Sequence, residues 1–289
     1  MPAKRAKPST PTTVAKKAKA ETNVAKKAKT EIDANNPYPT FSHPTEAEVR
    51  LVHDGLMAMH PEILEVKAQK RAADKGGCGD RTLVLDALVG TILSQNTTDV
   101  NSHRAFASLK AAFPSWEQFR TAPSADCEES IRQGGLAATK TERIKLLLNA
   151  LLEERGELSL EFMRDMPTEE IKAKLRTYKG VGAKTISCVL LFCLGRADFP
   201  VDTHVWKIAL ALGWVPKTAD RDGTYAHLNT RVPDELKYAL HVLLVEHGKV
   251  YKNSVAELKK MASAIEELSV EARVPKSAVK AEAKVKREM

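Results

Sequence analysis

The stretch "EEIKAKLRTYKGVGAKTISCVLLFCLG" (residues 169–195) decides the fold. Two segments with helical apolar spacing flank Gly180 and Gly182, and both glycines fall where a chain reversing between helices needs positive φ or close backbone approach. Pro167-Thr168-Glu169-Glu170 reads as the start of the first helix, with Thr168 as its cap and two acids favouring the positive end of the dipole. That helix stops at Gly180, and the second runs from Ala183 until Gly195 ends it. The segment therefore predicts an αα-hairpin.

A Gly-x-Gly turn of this kind is either a bare connector or a seat for a phosphate. In the second case the first unpaired N–H groups of the following helix, and its dipole, favour an anion. Lys184 lies just inside the second helix, eighteen residues before Asp202 in "FPVDTHVWKIALALGWVP" (199–216). The intervening helix of about 12 residues is about 18 Å long. The connector 196–201, extended by Pro200, covers roughly 20 Å. The chain can therefore run back along its own helix and deliver Asp202 beside Lys184. Asp202 also stands just before the apolar set Val205, Ile208, Ala209 and Leu212, so a plain N-cap is its structural alternative.

Outward from the hairpin the pattern stays helical. Aromatic residues make up only 5% of the chain, and period-two runs of β-branched residues are rare, so we expect an all-α fold. A helix starts behind the cap Thr45; a break follows at "DKGGCGD" (74–80), then the apolar "RTLVLDALVGTIL" (81–93) and the polar "SQNTTD" (94–99). The expected organisation is a disordered arm over residues 1–44, a helical domain over 45–270 and a basic tail over 271–289. Within the domain, a central lobe covers about 80–195, and a second lobe is built from the flanking helices.

Residues 1–30 hold nine Lys/Arg against one Glu, which accounts for the whole formal charge of +8. The near-repeat "VAKKAKAET" and "VAKKAKTEI" is too polar to bury a face, and suits nuclear import or weak contact with a polyanion. A mitochondrial presequence is the alternative, although such segments favour Arg over Lys. The four cysteines include no CxxC pair, and no apolar run has the length of a membrane span. We expect an intracellular, reduced protein with no membrane partner, in which Cys188 and Cys193 act as small buried hydrophobes.

Four segments, "ILSQNTTD" (92–99), "KGVGAKT" (179–185), "VDTHV" (201–205) and "LHVLLVEHGKV" (240–250), occur in an order and spacing that resemble the helix-hairpin-helix DNA glycosylases of the endonuclease III type. The likeness covers roughly residues 46–265, and "FPVDTHVWKIALALGW" is also similar to the plant DNA demethylase glycosylases. The resemblance implies a monomeric base-excision repair enzyme that extrudes a damaged pyrimidine from double-stranded DNA into a cleft between two helical lobes. Lys184 then takes the place of the catalytic lysine and Asp202 that of the catalytic aspartate. A neutral amine attacks C1′, the base leaves, and the Schiff base permits strand cleavage. Because a lysine amine ordinarily titrates near 10.4, the pocket must shift it or take its proton.

The same resemblance places Asn96 in the position that fills the gap left by the extruded base, with Gln95 beside it. The alternative there is a helix junction with Asp99 as cap. His204 reads as a packing or hydrogen-bonding residue rather than a second base. The resemblance further implies that Gly180 and Gly182, with the Val181 amide between them, hold the DNA backbone beside the lesion; Tyr178-Lys179 departs from the Leu-Pro common in the family, and Lys179 either adds a phosphate contact or stays a solvated charge. No cysteine follows Cys193, so the iron-sulfur cluster of many relatives is not expected, nor any other cofactor, and helical packing should hold that lobe instead. Two other readings stay open: the same fold acting on 5-methylcytosine or a G·T mismatch, and a non-catalytic module that binds DNA through the hairpin and the arm.

Overall fold

The computed structural model describes residues 36–72 and 79–273, and among these every regular element is helical. None of the described helices is long and apolar enough to cross a membrane. Helices α1 (Glu46–Met59) and α2 (Ile63–Ala72) come first, then α3 (Val84–Leu93), α4 (Asp99–Ala112), α5 (Trp116–Thr121), α6 (Ser124–Ile131) and α7 (Ala137–Arg155). The hairpin helices α8 (Thr168–Arg176) and α9 (Ala183–Cys188) follow, the latter widening into a π turn over Val189–Cys193. The chain closes with α10 (Thr203–Leu212), α11 (Arg221–Arg231), α12 (Lys237–Val250) and α13 (Ala256–Arg273).

Two hydrophobic cores define two lobes. The first draws on residues 84–193 and surrounds α3, nine of whose ten residues are buried. A helix apolar on all sides has to be central. Asp86, its one charged residue, is satisfied by the Trp116 indole N–H at 2.8 Å and faces Lys110 at 3.5 Å. The second core collects α1, α10, α12 and the start of α13, with Leu56, Ile208, Leu243 and Leu258 at its centre.

Thr45 caps α1 in a full capping box with Glu48, as its sequence position predicts. Thr168, expected to cap α8, is instead that helix's first residue, and Pro167 holds the cap position without a side-chain bond. Proline's fixed φ starts the helix there without a side-chain acceptor. The expected arm boundary at residue 44 also shifts, and the arm's residues 1–35 lie outside the described residues. Residues 36–44 belong to the second lobe: Asn36 is buried with its side-chain oxygen 2.8 Å from His227, and Arg231 donates to the carbonyls of Phe41 and Ser42.

Where an iron-sulfur loop would follow "HGK", the chain makes a turn over Tyr251–Ser254 and enters α13. No thiolate stands there, so the segment does not fit a cluster. α13 packs on α1 through Gly55, where an added Cβ would lie 3.3 Å from Leu258 and 3.5 Å from the Ala262 backbone. At the other end of this lobe, Gly248 lets α12 approach α10 so closely that a Cβ would lie 2.6 Å from His204 Nδ1. Overpacking a fixed ring is costly, so Gly248→Ala should lower stability by roughly 1–3 kcal/mol, read as a lower urea midpoint at unchanged slope.

Beside that contact, His247 donates from Nε2 to the Ser254 carbonyl at 2.7 Å, which leaves its Nδ1 to accept from His60 Nε2 at 3.2 Å. Burial holds both imidazoles below the ordinary value of 6.5, with His247 adding to the effect on His60. The unfolded chain therefore binds these protons more readily than the folded one, and stability should fall as pH drops through about 6.5. The denaturation midpoint is expected to be lower at pH 5.5 than at 7.5, with a smaller difference in His60→Gln.

Candidate active site

The site begins at the hairpin turn. Gly180 has φ +81°, a conformation that favours glycine, and a Cβ there would lie 2.5 Å from the Arg143 side chain, which would have to move. Val181 buries its side chain in the first core, and its N–H donates to the Tyr178 carbonyl at 3.1 Å. That amide belongs to the turn itself, and the outward-facing residues are Gly180 and Gly182. Lys179 is exposed and paired with Glu142 at 2.8 Å, an interaction that water screens heavily.

After α9 the backbone shifts register: Leu194 N–H reaches back to the Val189 carbonyl at 3.0 Å, and Arg196 N–H to Leu190 at 2.8 Å. The connector to Asp202 is then pinned along its length. The Arg196 guanidinium donates to the carbonyls of Arg164 and Met166. Phe199 N–H donates to the Asn229 side chain at 2.9 Å, and His241 Nδ1 lies 2.8 Å from the Pro200 carbonyl.

Asp198 is fully buried between Lys172 of α8 at 2.8 Å and the Tyr225 hydroxyl of α11 at 3.2 Å. Burial pulls the Lys172 amine toward neutrality, but the hydrogen bond and charge of Asp198 outweigh it and hold the amine above its ordinary range. Burial also pushes the Tyr225 phenol upward, with Asp198 adding to it. Three parts of the molecule thus meet at one carboxylate: the hairpin, the connector and the second lobe.

Asp202 emerges from this connector as the N-cap of α10, accepting Val205 N–H at 2.8 Å through Oδ1. It also lines a cavity of about 110 Å³ together with Lys184. Lys184, Cys188 and Phe192, spaced four apart on the hairpin's second helix, form one wall. The opposite wall is the face of α12 that carries His241, Val242, Val245, Glu246 and Lys249. Phe192 bridges the walls, with its ring 5.7 Å from Tyr238 and 5.5 Å from His241. At the rim Asp99 of the first lobe pairs with Lys249 of the second at 2.7 Å. Burial opposes ionisation at both groups, yet the pairing keeps the Asp99 carboxyl below and the Lys249 amine above their usual ranges.

The polar loop after α3 docks onto the same hairpin. Gln95 donates to the Gly180 carbonyl at 3.0 Å and to Thr185 Oγ1 at 3.3 Å, and accepts from Arg143 at 2.8 Å, so it is a strut between loop and turn. Asn96 stands exposed beside it at φ +53°, a left-handed conformation that asparagine tolerates better than most residues. Lys140, 1% exposed, holds the loop's base by donating to the Leu93 and Gly134 carbonyls, and burial lowers its pKa to about 8. Thr98, not Asp99, caps α4, which frees the Asp99 carboxylate for Lys249. His204 Nδ1 lies 2.7 Å from the Asn253 side-chain oxygen, beneath α12.

The structure therefore brings Lys184 and Asp202 to one cavity, sets Gly180, Gly182 and Asn96 on the surface next to it, and spends Gln95 and the Val181 amide internally. Sequence reasoning missed His241, Glu246 and Lys249 as cavity residues. Their signal was present: three polar groups recur on one face of the otherwise apolar "LHVLLVEHGK".

Residues 89–234 match the HhH-GPD superfamily of base excision DNA repair proteins. A relative from Arabidopsis thaliana, named as a DNA glycosylase, is 50% identical over 240 residues, covering 77% of this chain and 82% of its own. The chain belongs to the HhH-GPD superfamily of base excision DNA glycosylases. It is also 31% identical over 153 residues to the Arabidopsis thaliana DNA glycosylase/AP lyase ROS1, covering 47% of this chain but only 11% of that much longer protein. Endonuclease III of Sulfolobus acidocaldarius is 28% identical over 174 residues, 60% of this chain and 75% of its own. Among solved structures, a non-covalent endonuclease III–DNA complex shares the fold at a TM-score of 0.58 and 22% identity, over 71% of this chain and 86% of that one.

Because Asp198 is buried and charged, removing its partner leaves an uncompensated carboxylate. Lys172→Met should cost roughly 3–5 kcal/mol of stability, measurable by urea denaturation.

Proposed function

We propose that this chain is a bifunctional DNA glycosylase and AP lyase that removes oxidised pyrimidines from duplex DNA, acting as a monomer in the nucleus. The observation that carries the reading is the convergence of Lys184 and Asp202, eighteen residues apart in sequence, on one cavity between the lobes. The relatives support it: one is named a DNA glycosylase/AP lyase, and the fold is that of endonuclease III as seen with DNA. The arm of nine basic residues supports both the nuclear address and attraction to the phosphate backbone.

In this mechanism the exposed glycine turn seats the backbone beside the lesion, and Asn96 enters the space that the base vacates. Asp202 uses Oδ1 to cap α10 and turns the rest of its carboxylate to the reaction. It accepts the proton that Lys184 must lose and balances the positive charge that develops on the sugar. The Lys184 lone pair forms the bond to C1′ as the glycosidic bond breaks, and the base departs with the bonding pair and takes up a proton. Ring opening gives an iminium at C1′. Loss of a C2′ proton then expels the 3′ phosphate, and water releases the lysine.

Borohydride should trap the wild-type protein covalently on an abasic duplex and on duplexes carrying thymine glycol or dihydrouracil. Lys184→Ala should abolish trapping, and Asp202→Asn should slow base release by about 10²–10⁴-fold. Trapping that persists in Lys184→Ala, or a lack of base release from every lesion, contradicts the reading.

A further inference from the structure

α12 brings to the cavity a polar group that the chemistry above does not use. His241 is 7% exposed and lines the same cavity as Lys184 and Asp202. Its Nδ1 is 2.8 Å from the Pro200 carbonyl, which can only accept, so Nδ1 carries the proton. Burial keeps the ring neutral by lowering its pKa to about 4; Asp202 acts against that shift and Lys184 with it. A neutral imidazole protonated on Nδ1 has a bare lone pair on Nε2. Edge contacts with Phe192 at 5.5 Å and Phe199 at 6.3 Å fix the ring plane. The ring's remaining hydrogen-bonding atom, Nε2, is therefore an acceptor and not a donor, on a residue that lines the cavity. Phe192 stands two helical turns beyond Lys184 on the same wall, so acceptor, aromatic face and amine are held in one frame.

We propose that His241 is the specificity-determining residue that reads the extruded base, its Nε2 accepting a hydrogen bond from an N–H on the base edge. The inference rests on the glycosylase reading and narrows it. The substrates are pyrimidines that carry an N3 hydrogen or a 4-amino hydrogen, and a base methylated at that nitrogen is rejected. Rejection follows because burying the lone pair without a donor leaves it unsatisfied. A structural strut that only holds the Pro200 carbonyl would need the Nδ1 hydrogen but not Nε2, so the two roles separate by substitution.

The test compares wild type, His241→Asn and His241→Phe in single-turnover base release from duplexes with dihydrouracil or N3-methyl-dihydrouracil. It adds borohydride trapping on a pre-formed abasic duplex, which offers no base to read. Asparagine keeps a donor for Pro200 and removes the Nε2 acceptor. In both variants the ratio of base release to abasic trapping should fall about 10–100-fold, and the wild-type preference for the unmethylated base should vanish. The proposal is overturned if His241→Asn, which keeps the Pro200 bond, releases base like wild type or loses base release and trapping together, or if wild type does not distinguish the two bases. A wild type that neither traps abasic DNA nor releases base overturns the glycosylase reading as well.

Discussion

The buried carboxylate of Asp198 is the constraint on which the site depends. A charge with no access to water must be paired, and here its partners come from two different elements, α8 and α11. The pairing is made wholly at Oδ2, while Oδ1 is buried without a hydrogen-bond partner among the described residues. This pairing fixes the connector between the lobes at a point four residues before Asp202, and the bonds to Phe199 N–H and the Pro200 carbonyl extend that grip almost to the carboxylate. A loop of the same length without such anchors would place Asp202 over a range of positions too wide for a proton transfer, which tolerates only hydrogen-bond distances.

Each wall of the cavity obeys a different demand. The wall carrying Lys184, Cys188 and Phe192 is one stripe of a helix whose other sides are buried in the first core, so its orientation follows from packing. The α12 wall belongs to the second core, and its polar members are held by particular partners: Pro200 for His241 and Asp99 for Lys249. The Asp99–Lys249 pair joins the two walls at the rim. Gly248, next in sequence to Lys249, allows α12 to sit tightly against α10 and thereby sets the wall's depth.

Much of this was legible in the sequence because it depends on local rules. Helical periodicity gave the fold class, and simple chain lengths showed that Asp202 could return to Lys184; of the two hairpin glycines only Gly180 has a positive φ, whereas Gly182 sits at φ −98° with open space around an added Cβ, so the expected need for glycine does not hold there. Other features depended on tertiary partners that no local pattern contains. Gln95 looks like a free polar side chain in "SQNTTD" yet is absorbed by Gly180, Thr185 and Arg143. Asp99 looks like a cap but yields that role to Thr98 and pairs with a residue 150 positions away. Residues 36–44 read as an extension of the polar arm because their stabilising contacts, with His227 and Arg231, lie nearly two hundred residues downstream. No cysteine follows Cys193, and in that segment Leu258 and Ala262 of α13 pack against Gly55 of α1.

The central claim is spatial, and a crystal structure of the protein with a duplex containing a tetrahydrofuran abasic analogue tests it most directly. The account predicts the analogue's C1′ within the cavity, facing both the Lys184 amine and the free oxygen of Asp202, with the flanking phosphate against Gly180 and Gly182. A duplex bound on another face, or a sugar beyond the reach of either side chain, would contradict it.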